Sequence, residues 1–365
     1  MTHTVSERIA IVAPTAAAVA VQRKDLIEAL VENGHRVLCL TPPASGQHLR
    51  TLRDLGAQHR TIEVPPQKLG ILVQWKTLSN LIGHFNDWQP NIVLGHGPRM
   101  LILAAIAARR ARVRRIVSLV NSLPPDGIDS LSRLPFGYAV RASDALVFHN
   151  HDHPQALADV GLLPPNTPVT VVPGGGVNLA DFNTAALPSY QDGVVFLMLA
   201  RLERSRGVLE YRAAAKVLKA QWPNARFKFA GPSSDAKDAI PREEIWDALE
   251  DLGDLEDVRP ALATCHVFVY PSYGEGMPRA VLEALATGRP VITTRTPGCR
   301  ETVDEKVSGS LVPPADAEEL ANTMAGYLAR PELLPIAARA ARLKAERRFD
   351  ARDVNATMMR VLGVA

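Results

Sequence analysis

At 365 residues the chain exceeds what one hydrophobic core usually supports, so two domains are expected. Its charge is nearly balanced at +3 and only 5% of its residues are aromatic, which argues against nucleic acid as a partner. Three widely spaced cysteines without a Cys-x-x-Cys, no signal peptide and no apolar run long enough to span a bilayer suit reduced thiols, a cytoplasmic setting and at most peripheral membrane contact.

Strands and helices alternate from the start, as a parallel α/β sheet requires. Residues 9–12 read as a strand, 22–33 as a helix ending at Gly34, and 36–40 as a second strand; 92–94, 115–120 and 145–148 continue the sheet. The loop after the first strand, read as 13–26, contains no glycine. The Gly-x-Gly-x-x-Gly fingerprint of nicotinamide enzymes is therefore missing, and Ala16, Ala17 and Ala18 are poor candidates for close phosphate contact.

The segment Gly95-His96-Gly97-Pro98-Arg99 follows a strand end, where open α/β sheets bind ligands, so His96 and Arg99 are candidate site residues. Asn121 occupies a similar place after the next strand. An apolar helix over 101–108 runs into Arg109, Arg110, Arg112, Arg114 and Arg115, a pattern that suits anionic lipid headgroups, with Lys68, Trp75 and Lys76 extending it. A solvated helix end, where cations oppose the negative pole of the dipole, accounts for it equally well. Along His149-Asn150-His151-Asp152-His153, alternate histidines on a strand face would suit zinc, although hydrogen bonding at a loop end is the simpler reading.

After a Pro- and Ser-containing stretch at 183–193, taken as the linker, a second round of strands is expected near 194–200, 226–230, 266–270 and 291–294. The first of these leads into Arg201-Leu202-Glu203-Arg204-Ser205-Arg206-Gly207. The third leads into Tyr273-Gly274-Glu275-Gly276-Met277-Pro278, where Pro278 reads as the first residue of a helix and Glu283 lies about two turns inside it. A helix start favours a phosphate or diphosphate, and carboxylates on either side suit neutral hydroxyls, the layout of a sugar nucleotide. Solvated carboxylates at a helix start are the plain alternative.

The segment from Glu275 to Glu283, with Asp257-Val258-Arg259-Pro260 before it and Pro297-Gly298-Cys299-Arg300-Glu301 and Leu311-Val312-Pro313-Pro314-Ala315-Asp316 after it, resembles the Glu-x7-Glu region of retaining glycosyltransferases of family 4 (group 1). That family has the GT-B fold, two Rossmann-like domains with parallel sheets facing a central cleft. The resemblance implies an N-terminal acceptor-side domain over 1–182 with residues 351–365 packing back on it, and a nucleotide-sugar domain over 194–345. It assigns donor-sugar hydroxyls to Glu275, ribose hydroxyls to Glu283, donor contacts to Gly276, Met277 and Pro278, and the donor diphosphate to Arg201 and Arg206. Arg206 stands where Lys is usual; Arg204 is its rival, and the glycine after Arg206 favours Arg206. Val172-Pro173-Gly174-Gly175-Gly176-Val177-Asn178 resembles the family's domain hinge, with Asn178 in place of Asp.

The helix starting at Arg23 resembles members that act on polyprenyl-diphosphate-linked sugars in bacterial surface-glycan assembly, which makes Arg23 or Lys24 candidates for an acceptor diphosphate. The implied co-substrate is a nucleotide sugar, UDP the commonest carrier, with no metal required and no Asp-x-Asp metal motif. The implied acceptor is a lipid-linked sugar at the inner face of the cytoplasmic membrane. A non-catalytic sugar-nucleotide scaffold and a GT-B epimerase or phosphorylase are the alternatives.

Overall fold

The computed structural model describes residues 6–44, 46–64, 71–123 and 130–365, so Lys68 lies outside it. The chain divides into two compact units: the described residues up to Gly175 together with Ala351–Ala365, and Gly176–Asp350.

The first unit runs β1 (Arg8–Val12), α1 (Ala16–Ala20), α2 (Lys24–Glu32), β2 (Arg36–Thr41), α3 (Gly46–Asp54), β3 (Gln58–Thr61), α4 (Ile71–Trp88), β4 (Ile92–His96), α5 (Pro98–Arg110), β5 (Arg115–Val120), α6 (Ser130–Ala142), β6 (Ala145–Phe148), α7 (Asp152–Asp159) and β7 (Val169–Val171). Among the described residues its sheet has the order β3-β2-β1-β4-β5-β6-β7, every pair parallel. The inner strands are largely apolar because both faces are covered, whereas the edge strand β3 is polar. Ala10, Val12, Leu38 and Val93 enter one core, whereas Ile9, Ile11, Val37, Ile92 and Leu94 enter the other, the alternation of a pleated strand made visible.

The second unit runs β8 (Val195–Leu199), α8 (Val208–Gln221), β9 (Arg226–Ala230), β10 (Glu250–Asp251), α9 (Arg259–Ala263), β11 (Val267–Tyr270), α10 (Arg279–Ala286), β12 (Val291–Thr294), β13 (Gly309–Val312), α11 (Ala317–Ala329) and α12 (Leu334–Arg348). Its sheet, β10-β9-β8-β11-β12-β13, is again all parallel, with Phe196 and Met198 in one core and Val195, Leu197 and Leu199 in the other. The last helix, α13 (Ala351–Leu362), belongs to the first unit, where Val354, Met358 and Leu362 join the core with Ile9 and Ile27 and Arg115 donates to the Val361 carbonyl. In both sheets the strand order reverses beside the first strand, and in open α/β folds ligands bind at the carboxyl ends of the strands at that reversal.

Several expectations change in detail. The first-strand loop is short, because Thr15 Oγ1 accepts from the Ala18 amide at 3.1 Å and caps α1 within the stretch read as loop. The unit boundary falls at Gly175 and Gly176, inside the glycine run, and 183–193 lies in the second unit. The fully buried Arg289 holds that stretch there, donating to the carbonyls of Ala185 and Ala186 at 3.1 and 3.0 Å and to those of Leu262 and Ala263 at 2.8 and 3.0 Å. His266 adds a second tie: its Nδ1 accepts from the Val195 amide, leaving Nε2 to donate to the Pro188 carbonyl at 3.1 Å.

Candidate active site

In the second unit, the loop leaving β8 and the loop leaving β11 meet at the strand-order reversal. Gly207 allows them to touch, and Gly298, in the loop leaving β12, allows that loop to touch the one leaving β11. Gly207 has φ +76°, and a Cβ there would stand 2.2 Å from the Pro271 carbonyl oxygen; Gly298, φ +74°, would meet the carbonyl oxygens of Glu275 and Gly276 at 2.4 Å. A side chain at either position would separate the loops.

The contact between the loops is ionic. Arg206 Nη1 pairs with Glu275 Oε1, the Tyr270 hydroxyl donates to the same carboxylate oxygen at 2.7 Å, and Arg206 Nε donates to Glu203 Oε2 at 3.1 Å. Glu203, only 4% exposed, also takes Arg201 Nε at 3.1 Å and the Ser234 hydroxyl at 2.7 Å. Burial works against the Arg206 cation, yet Tyr270 and Glu203 hold its pKa above the ordinary value; burial pushes the Tyr270 phenol up to about 12. Arg204 is exposed. Of the two rivals, the structure brings Arg206 to Glu275.

Helix α10 begins at Arg279, one residue later than expected, with Pro278 as its N-cap. Gly276 and Pro278 are buried and Met277 packs against the core that contains Val281 and Leu282. Glu283, the fifth residue of the helix, is 8% exposed; burial raises its pKa, opposed by Arg279, whose Nε lies 2.6 Å from Glu283 Oε1. Glu283 is held by Arg279 whereas Glu275 is held by Tyr270 and Arg206, so the two glutamates take different partners near the start of one helix.

Glu203 and Tyr270 are the site members that sequence reasoning missed. Glu203 had a readable signal, since it sits two residues after one arginine and three before the other. Tyr270 ends an apolar strand and its sequence surroundings look like those of any core aromatic.

In the first unit, Arg23, His96 and His149 gather at the carboxyl end of the sheet. Arg23 is 2% exposed, donates from Nη1 to the Gly174 carbonyl at 3.1 Å and has Nη2 2.7 Å from His149 Nε2. Burial and then Arg23 lower the His96 pKa to about 3 and that of His149 well below the ordinary value. Asn121 Oδ1 lies 3.7 Å from where a Cβ on Gly97 would stand. Arg99 occupies the first turn of α5, and Lys24 starts α2 on a half-buried face.

The His149–His153 run is a turn leading into α7, so its histidines do not share a strand face: His149 meets Arg23, and His153 contacts Asn150. Among the described residues no group of three or more His, Cys, Asp or Glu is placed to hold a metal ion. The three cysteines are buried and free. Much of the basic run is occupied within the unit: Arg109 pairs with Asp144 and Arg114 with Glu7, both at or below 3.0 Å, and Arg115 holds α13. Arg110, Arg112, Trp75 and Lys76 are exposed. Among the described residues no helix is long and apolar enough to cross a membrane.

These two sheets and their reversal loops define a GT-B glycosyltransferase. Residues 17–175 match the family described as "Glycosyl transferase 4-like domain" and 193–330 match "Glycosyl transferases group 1", so the chain belongs to the group 1, family 4 glycosyltransferases. Among curated proteins it is 24% identical over 323 residues, 82% of this chain and 83% of the other, to the N,N'-diacetylbacillosaminyl-diphospho-undecaprenol alpha-1,3-N-acetylgalactosaminyltransferase of Campylobacter jejuni. It is 26% identical over 278 residues, 71% of each chain, to the UDP-Gal:alpha-D-GlcNAc-diphosphoundecaprenol alpha-1,3-galactosyltransferase of Escherichia coli. Among solved structures, the Anabaena protein Alr3699/HepE in complex with UDP and glucose shares the fold, with a TM-score of 0.81 at 17% identity over 98% of this chain and all of that one.

Proposed function

We propose that this glycosyltransferase moves a hexose or N-acetylhexosamine from a UDP-sugar to a saccharide carried on a polyprenyl diphosphate, with retention of anomeric configuration, at the inner face of the cytoplasmic membrane. The observation that carries the reading is the Arg206–Glu275 pair at the reversal of the second sheet, backed by Glu203 and set beside the helix that contains Glu283. Two cations on one buried carboxylate are pre-organised for a diphosphate: Arg201 and Arg206 stabilise the charge that builds on the leaving group as the glycosidic bond breaks. Arg206 then exchanges one carboxylate for phosphate oxygens, which releases Glu275 to accept from donor-sugar hydroxyls. Glu283 accepts from the ribose hydroxyls.

In this reading the acceptor hydroxyl attacks the face from which the diphosphate departs, and a donor phosphate oxygen takes its proton, so no protein nucleophile is needed. The acceptor assignment draws on the two relatives named above, each of which acts on an undecaprenyl-diphosphate-linked sugar, and on the similarity spanning most of both chains. The exposed Arg110, Arg112 and Trp75 supply the cations and aromatic that a peripheral enzyme rests on lipid, whereas Lys76 pairs with Glu63 at 2.6 Å.

A thermal-shift screen of the purified protein against nucleotide sugars and free nucleotides tests the donor half. Selective stabilisation by a UDP-sugar that is lost in Glu283→Ala is expected, by linkage of binding to folding. No shift with any nucleotide sugar overturns the reading.

A further inference from the structure

Tyr270 is 6% exposed and ends β11 with its ring stacked on Phe268, the centroids 6.3 Å apart and the planes within 11°. Its backbone is fixed as well, since the Thr293 hydroxyl donates to the Tyr270 carbonyl at 2.7 Å from the neighbouring strand β12. A phenylalanine would fill this apolar place equally well, so the hydroxyl calls for its own explanation. A buried phenol needs a polar partner, and a backbone carbonyl is enough: Tyr211 donates to that of Lys228 at 3.3 Å. Tyr270 instead donates to the Glu275 carboxylate at 2.7 Å.

The contacts of Glu275 are one-sided. Arg206 Nη1 and the Tyr270 hydroxyl both meet Oε1, and among the described residues no contact falls on Oε2. The two partners differ in what holds them. Arg206 sits in the loop after β8, is shared with Glu203, and has a charge that a phosphate attracts. The phenol is neutral, with a pKa pushed up to about 12 by burial, and it is anchored to a strand rather than a loop. A diphosphate that draws Arg206 away therefore leaves Tyr270 on Glu275 Oε1. The loop that carries Glu275 is tied down nearby: the Tyr273 amide donates to the Ser205 carbonyl at 2.9 Å and the Tyr273 hydroxyl to Glu210 at 2.7 Å.

We propose that Tyr270 is a positioning residue for the transfer: from the end of β11 it holds Glu275 by Oε1 and leaves Oε2 as the oxygen that accepts from the donor sugar. This rests on the role proposed for Glu275 above and adds the group that orients it. Tyr270 touches no substrate and moves no proton. Without the hydroxyl the carboxylate turns about its last bonds once Arg206 has left, and the sugar is held in fewer productive poses.

A double-mutant cycle tests this, with UDP release in the absence of acceptor followed for whichever of UDP-glucose, UDP-galactose, UDP-N-acetylglucosamine and UDP-N-acetylgalactosamine the wild type hydrolyses fastest. Tyr270→Phe should lower kcat about tenfold, the scale of a lost hydrogen bond to a charged group, while calorimetric UDP affinity stays within twofold. In a Glu275→Ala background the same change should alter kcat less than twofold, because the carboxylate it orients is gone. An equal loss in both backgrounds, a parallel loss of UDP affinity, or no loss in either overturns the proposal. Tyr270→Phe should melt within a few degrees of the wild type; failure to fold or a fall of about 10 °C makes the hydroxyl structural and also overturns it. Failure of the underlying reading looks different: Glu275→Ala alone would then keep wild-type kcat, whereas a crippled Glu275→Ala beside an unimpaired Tyr270→Phe sinks the positioning role only.

Discussion

The two units share one sheet topology and each places a buried or half-buried arginine at the carboxyl end of its sheet, but the surroundings are opposite. Arg206 in the second unit is engaged by Glu203 and Glu275, so its charge is already neutralised and binding a diphosphate there is an exchange of partners. Arg23 in the first unit faces the His149 imidazole and the Gly174 carbonyl, no carboxylate among the described residues pairs with it, and its Nε has no partner. Arg289 supplies the control: it is as inaccessible as Arg23, and its donors reach four carbonyls besides that of its neighbour Gly288, which is what a structural arginine looks like. Burial alone therefore does not distinguish scaffold from site. The number of donors left unfilled does.

The largest effect should come from breaking the exchange at Arg206. Glu275→Ala should lower turnover by about 100-fold or more, the scale of removing a group that acts mainly in the transition state, while the melting temperature changes little. Activity within a few fold of the wild type would sink the role given to Glu275. Next, Arg289→Met should cost about 3 kcal/mol or more in denaturant unfolding, because it strands buried carbonyls of Ala185, Ala186, Leu262 and Ala263. If its cost matches that of Arg23→Met, the contrast between a satisfied and an unsatisfied arginine is wrong.

Glu283→Gln sharpens the comparison within α10. Calorimetric UDP affinity should fall about tenfold, in line with the loss of a charge-assisted hydrogen bond. Because burial raises the folded-state pKa of Glu283 above its unfolded value, its stabilising contribution belongs to the protonated form and is lost as pH rises through the raised value. The Gln variant should therefore melt no lower than the wild type at pH 8, and a clear loss there would show that the Arg279 pair outweighs desolvation.

The smallest effect concerns the imidazoles. His149, packed against Arg23, His96 and His153, has a folded-state pKa below its unfolded value, so the unfolded chain takes up the proton first and stability falls as pH drops below about 6.5. His149→Gln should flatten the decline in melting temperature between pH 7 and pH 5. An unchanged slope would remove His149 from the account.

Much of the second unit was legible before any coordinates. The apolar strands, the two glutamates and the arginines around Glu203 are local features, and the glycine after Arg206 pointed to the inward cation because only glycine fits where that loop meets Pro271. The polar strand β3 and the short β7, β10 and β13 were not read, since each has the composition of a sheet edge or a loop. Residues 183–193 looked like a linker because proline and serine mark exposed connections; the carbonyls of that stretch found Arg289 about a hundred residues away instead.

By itself the sequence determined what depends on neighbours along the chain: the alternation of strand and helix, the apolar faces, the helix start after Pro278 and the spacing of Glu275 and Glu283. Only the tertiary structure decided which charges are neutralised. The partners of Arg206 come from 3 and 69 positions away, counted as 206 minus 203 and 275 minus 206, and Arg23 meets His149 across 126 positions. A side chain's protonation and its readiness for a ligand follow from burial and from the groups folded against it, and those are brought together only when the sheets close.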